Sequence, residues 1–136
     1  MDRFIVNGKN RLGGEISVHG AKNSALPVLA AAVTVGDECV ISNCPGLSDV
    51  RATTKILDSL GCRKKEEGRT ITVNSRPLSR NEISDSLMRE LRSSFIFMGA
   101  LLSKTGRAVM GTPGGCEIGV RPIDIHLLSF EQMGAK

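Results

Sequence analysis

Gly20-Ala21-Lys22-Asn23-Ser24-Ala25-Leu26-Pro27-Val28-Leu29-Ala30-Ala31-Ala32-Val33 is the stretch that decides the fold. A basic residue and two polar ones lead into a run of Ala, Leu and Val that is apolar nearly all round. A helix of that composition is buried. Asn23 or Ser24 can cap it, with the helix proper over 25–33 and Pro27 in its first turn, where a missing N–H costs nothing. Gly36-Asp37 breaks the run.

The same order returns further on. A shift of 70 lays Lys22-Asn23-Ser24 on Arg92-Ser93-Ser94, Gly36 on Gly106, and Cys39-Val40 on Val109-Met110. A shift of 73 lays Leu60-Gly61-Cys62 on Met133-Gly134-Ala135. Each unit reads helix, strand, loop, helix, hairpin. Repetition at this length means that each unit buries its apolar helix against its neighbours. The chain stops at Lys136, where the first unit enters its hairpin, so the expectation is a truncated piece of a longer protein.

Outward from the two apolar runs, Arg3-Phe4-Ile5-Val6 and Glu15-Ile16-Ser17-Val18-His19 alternate and read as strands. The direction in which His19 points stays open; a lone histidine at a strand end is more often structural. Cys39-Val40-Ile41 is a short strand. Ser48 is placed to cap a helix from Asp49 to Leu60 that Gly61 ends. Cys62 to Glu67 and Thr70 to Val73 form a hairpin around Gly68. The polar segment 74–86, with Pro77 inside, reads as a flexible connection. The second apolar helix runs from Arg92 through Leu102 and stops at Gly106. Ala108-Val109-Met110 is a strand, and 123–133 is again helical, closed by Gly134.

With 40% hydrophobic and 24% charged residues in 136, the chain has the composition of one ordinary soluble domain. No apolar run spans a bilayer, and the N-terminus lacks the apolar core of a signal peptide, so a cytoplasmic setting with reduced thiols is expected. The four cysteines, at 39, 44, 62 and 116, form no C-x-x-C pair, and no metal is expected. A net charge of +4 suggests nucleic acid, but with no Trp, no Tyr and four Phe the stacking platform is missing. Arg63-Lys64-Lys65, followed at once by Glu66-Glu67, reads as a solvated strand edge. A small anionic ligand fits better than a polymer.

The chemistry concentrates in Thr112-Pro113-Gly114-Gly115-Cys116-Glu117-Ile118-Gly119-Val120-Arg121-Pro122-Ile123-Asp124. A single cysteine is usually an inert small hydrophobe; glycines on both sides remove the packing that role needs. Pro122 suits a first helical position. The loop then carries a thiol and ends in a cation at a helix N-terminus, where unpaired N–H groups favour an anion. Lys22 and Arg92 occupy equivalent places before two buried helices. Either alone reads as a surface cation; with Arg121, three cations can converge on one phosphate or carboxylate.

Gly20 to Pro27 and Pro113 to His126 together closely resemble the UDP-N-acetylglucosamine 1-carboxyvinyltransferases of the enolpyruvyl transferase family, and the likeness runs from Met1 to Lys136. The resemblance implies an α/β fold, an inside-out α/β barrel of repeated units with helices inside and sheets outside, of which only part is present. Residues 1–21 would belong to the second domain's sheet, and 22–136 to about two of the first domain's three units. The implied reaction, in peptidoglycan precursor synthesis, moves enolpyruvyl from phosphoenolpyruvate to the 3-hydroxyl of UDP-N-acetylglucosamine through a tetrahedral ketal and releases phosphate. Cys116 would be the general acid and the target of fosfomycin. Lys22, Arg92 and Arg121 would clamp phosphate and carboxylate, with Asn23 at the same site, and Arg121, Pro122, Ile123, Asp124 and Ile125 would contact the UDP-sugar. No cofactor or metal is implied; the general base would lie outside these residues, and the isolated chain would not turn over.

Three rivals are weighed against this. A sister transferase acting on shikimate phosphate shares the chemistry, but does not carry the cysteine loop. An RNA-end phosphate cyclase has a similar repeat architecture, but the aromatic-poor composition leans against RNA. A non-catalytic paralogue that binds the sugar nucleotide stays open, as does the oligomeric state.

Overall fold

A computed structural model describes residues 3–9, 11–111 and 122–136. Helix α1 spans Lys22–Val35, strand β1 Glu38–Ile41 and helix α2 Ser48–Ser59. Strands β2 (Arg63–Glu67) and β3 (Thr70–Asn74) complete the first unit. The second contains β4 (Glu82–Ile83), α3 (Asp85–Glu90), a 3-10 turn (Arg92–Phe95) running into α4 (Ile96–Thr105), β5 (Val109–Met110) and α5 (Asp124–Gln132).

β3 lies between β1 and β2 and is antiparallel to both, in the register Cys39–Val73–Lys64. Its residues alternate, so Ile71 and Val73 turn inward while Thr70, Thr72 and Asn74 are half-buried. The inward face packs on α1 and α2. On its other side α1 meets α4, so helices occupy the interior and the sheet the outside. Leu29, Val33, Ile56, Leu57, Leu60 and Leu101 are 0% exposed and Phe97 is 1% exposed. Each such side chain contributes about 1.5–3 kcal/mol relative to an exposed one. Thr53 and Thr54 are buried beside them; their hydroxyls donate back to the carbonyls of Asp49 (2.9 Å) and Arg51 (3.0 Å), so neither is left unpaired.

The repeat is visible in the backbone. Gly36 ends α1 at φ 72°, and Gly106 ends α4 at φ 71°. Gly61 and Gly134, the second matched pair, have φ 91° and 97°. These are left-handed conformations that glycine adopts without a Cβ penalty.

Several expectations need correction. α1 starts at Lys22, not Ala25; neither Asn23 nor Ser24 caps it, because both are helical, and Ala21 is the capping residue with no side-chain bond. Pro27 is the sixth helical residue. Nor is α1 buried all round: Val28, Ala31 and Val35 form an exposed apolar stripe at helical spacing. Ser48 is likewise inside α2, with Leu47 at the cap position. Pro122 precedes α5 by two residues, and Ile123 caps it.

Segment 74–86 is not a free connection. Ser75 is buried; its N–H donates to the Asp37 carbonyl (3.2 Å) and its hydroxyl to the Ala32 carbonyl (2.9 Å). The N–H groups of Ser79 and Arg80 donate to the Leu60 carbonyl, and β4 pairs in parallel with β5. The polar residues serve turns and caps. At the N-terminus, neither 3–6 nor 15–19 forms a strand. Alternation supplies the side chains of a strand, but not the neighbouring row of N–H and C=O groups, and among the described residues none lies against these. Phe4, Val6, Ile16 and Val18 are exposed.

β2 is an edge strand, and its basic cluster is matched along it. Lys64 Nζ lies 3.2 Å from Asp58 and 2.9 Å from Glu66, and Lys65 lies 2.8 Å from Glu67. That is the solvated strand edge expected.

Candidate functional site

Two side-by-side helices make the site. The groove between α1 and α4 is lined by Pro27, Ala30, Ala31 and Thr34 of α1 and by Ile96, Gly99, Ala100 and Ser103 of α4. The Lys104 ammonium lies over Gly36 at the far end of α1. The two helices therefore run the same way, and their N-termini open at one end. Small residues at the crossing let the two backbones approach.

Lys22 is the first residue of α1, and Asn23 the second. Both are exposed. Among the described residues no side chain caps this helix, and the N–H groups of Lys22 and Asn23 have no partner; those of Ser24 and Ala25 return to the Ala21 carbonyl. The start of α1 is fixed from behind by Gly20, whose α-carbon lies against the Asn43 carbonyl so closely that a Cβ would overlap it. Arg92 opens the 3-10 turn at the head of α4.

α5 brings the third helix start. Ile123, His126 and Phe130 face Phe95, Ile96, Met98 and Gly99 across an apolar cleft of about 230 Å³. The His126 ring meets Phe95 edge-on at 5.1 Å. Ile123 thus lies near Phe95, three residues after Arg92, and Phe130 near Gly99, one turn on. Pro122, Asp124 and Ile125 are exposed at that start. Asp124 in the first turn is favoured by the helix's positive end. Cys116 and Arg121 lie outside the described residues, as does the Arg92 side chain. The loop's near end, Gly111, lies with its α-carbon against the Asp85 carboxylate at the start of α3.

One residue of the site was missed by reading the sequence. Asp49, second in α2, accepts a hydrogen bond from Lys22 Nζ at 2.6 Å. It lies 27 positions from Lys22 with no local pattern joining them, so only the packing of α1 against α2 reveals the pair. Among the described residues no three His, Cys, Asp or Glu side chains are grouped to hold a metal. Cys39, Cys44 and Cys62 are free thiols, and the last two are buried.

Known proteins similar to this chain in sequence and in shape agree with one another. A UDP-N-acetylglucosamine 1-carboxyvinyltransferase 2 of Caldanaerobacter subterraneus subsp. tengcongensis is 47% identical over 136 residues, covering all of this chain and 33% of its own. A UDP-N-acetylglucosamine 1-carboxyvinyltransferase 1 of Symbiobacterium thermophilum is 44% identical over 140 residues, covering 99% of this chain and 32% of its own. This chain thus spans about a third of the length of these curated relatives. The crystal structure of the enolpyruvyl transferase NikO from Streptomyces tendae superposes with a TM-score of 0.67 at 30% identity, over 74% of this chain and 24% of that one. The α/β fold class of an enolpyruvyl transferase, present in part, is therefore as expected. Residues 6–136 match one family along nearly the whole sequence: the chain belongs to the EPSP synthase (3-phosphoshikimate 1-carboxyvinyltransferase) family.

Proposed function

We propose that the full-length protein carrying these residues is a UDP-N-acetylglucosamine 1-carboxyvinyltransferase of peptidoglycan precursor synthesis, acting in the cytoplasm. It transfers enolpyruvyl from phosphoenolpyruvate to the sugar 3-hydroxyl and releases phosphate. Relatives of that name at 47% and 44% identity across the chain support the choice of sugar acceptor. The geometric observation that carries it is the packing of α1 on α4, with Lys22 the first residue of α1 and Arg92 opening the 3-10 turn that runs into α4. No helix of the described residues is long and apolar enough to cross a membrane.

In this reading Lys22, Arg92 and Arg121 hold the phosphate and carboxylate of phosphoenolpyruvate, with Asn23 beside them. Open helix N–H groups and fixed cations stabilise charge without reorganising. The Cys116 thiol gives its proton to the vinyl carbon. The neighbouring carbon becomes electrophilic and takes the sugar oxygen, whose proton passes to a base outside this chain. Loss of phosphate and of a methyl proton from the ketal completes transfer. An ordinary thiol, with a pKa of about 8.5, is mostly protonated near neutrality, as an acid must be. Arg121, Pro122, Ile123, Asp124 and Ile125 contact the UDP-sugar. Residues 1–21, whose described members form no strand in this chain alone, join the second domain's sheet in the full-length protein, and 22–136 make about two of the first domain's three repeat units.

The test is phosphate release by the full-length protein. Release that needs both phosphoenolpyruvate and UDP-N-acetylglucosamine is expected, and Cys116→Ala should slow it at least about 100-fold, the low end for a lost general acid. Release with shikimate 3-phosphate as acceptor instead would move the protein to the activity for which its family is named.

A further inference from the structure

We propose that Asp49 is a positioning residue for the anion site, holding the Lys22 ammonium at the common end of α1 and α4. The proposal rests on Lys22 serving the anion clamp described above.

Both oxygens of Asp49 are engaged. Oδ2 accepts from Lys22 Nζ at 2.6 Å, and Oδ1 from the Ser48 hydroxyl at 3.4 Å. The carboxylate sits in the first turn of α2, whose positive end offsets part of its charge. That matters, because a bare carboxylate beside an anion site would repel the ligand. The Lys22 and Asp49 side chains are 43% and 31% exposed, so the ammonium is held yet stays reachable. An ammonium has three donors, and Asp49 takes one. A pair this exposed adds little to stability. What it supplies is orientation: a four-carbon stem that would otherwise be ordered on binding is ordered beforehand.

The experiment titrates inorganic phosphate by calorimetry into the full-length protein saturated with UDP-N-acetylglucosamine. The variants are Lys22→Ala, Asp49→Ala, Asp49→Asn and the Lys22→Ala/Asp49→Ala double. Fixing one rotamer-rich side chain corresponds to a loss of between about 2- and 13-fold for Asp49→Ala. Asp49→Asn, which keeps an acceptor of the same shape, should lose less. The double variant should bind no worse than Lys22→Ala, since without the ammonium Asp49 has nothing to position. Unchanged or tighter phosphate binding in Asp49→Ala overturns the proposal, as do losses that multiply in the double variant. A lower melting temperature with unchanged phosphate affinity also overturns it, leaving the pair a purely structural one. If Lys22→Ala itself binds phosphate normally, the clamp falls and this proposal with it; if only Asp49→Ala does, the clamp stands and Asp49 is not part of it.

Discussion

Lys22 and Cys62 are both ionisable groups, and the fold treats them in opposite ways. Lys22 stays at the surface, tethered to Asp49. Cys62 is buried at the end of α2, and burial, helped by the negative charge of Asp58, pushes its thiol up to about 11 from 9.0. Above pH 9 the unfolded chain releases this proton while the folded chain keeps it, so stability falls as the pH rises from about 9 toward 11. Chemical denaturation at pH 8, 9 and 10 should show that fall, and Cys62→Ala should flatten it; an equal slope in the variant would mean that Cys62 does not titrate this way. The equivalence of Lys22 and Arg92 was legible in the sequence because the repeat aligns them. The pairing of Lys22 with Asp49 was not, because it depends on how α1 and α2 meet.

Helices were more legible than strands. α1, α4 and α5 each announce themselves by an apolar run and a closing glycine, information carried within the segment itself. A strand needs a partner, which is why 15–19 reads as one yet forms no ladder, and why two-residue β4 escaped notice inside a polar stretch. Helix starts were misplaced because Asn23 and Ser48 look like caps but lie inside their helices. Equivalent glycines offer a test at this scale. Gly36→Ala and Gly106→Ala each force a left-handed alanine, costing about 1–2 kcal/mol. At Gly36 a Cβ also meets the Lys104 ammonium, while at Gly106 it meets open space. The ammonium is the movable end of an exposed side chain and can swing aside, so thermal melts should show similar losses for the two variants; a much larger loss at one of them would contradict the equivalence of the two helix ends.

Across the whole molecule, apolar surface is distributed unevenly. The core around Leu29, Ile56 and Phe97 is closed, while Phe4, Ile16, Val18, Ile125 and Met133 are 73% exposed or more. Surface of this kind binds partners or aggregates. The 136-residue chain on its own should therefore bind a hydrophobic dye strongly and release no phosphate from phosphoenolpyruvate and UDP-N-acetylglucosamine; turnover by this piece would show that no further base is needed. The repeat and the fold class were readable here because the matches recur in order. The sequence names the cations and the cysteine proposed for the site, but gives no sign of the Asp49 carboxylate that lies against Lys22.

Mass spectrometry of the full-length protein treated with fosfomycin, with and without UDP-N-acetylglucosamine, is the direct test of a reactive thiol working over a cationic clamp. An adduct on Cys116 that forms readily only when the UDP-sugar is present, and that is lost in Lys22→Ala, is the predicted result. No adduct on Cys116 under either condition, or labelling indifferent to both the sugar and Lys22, would contradict the account.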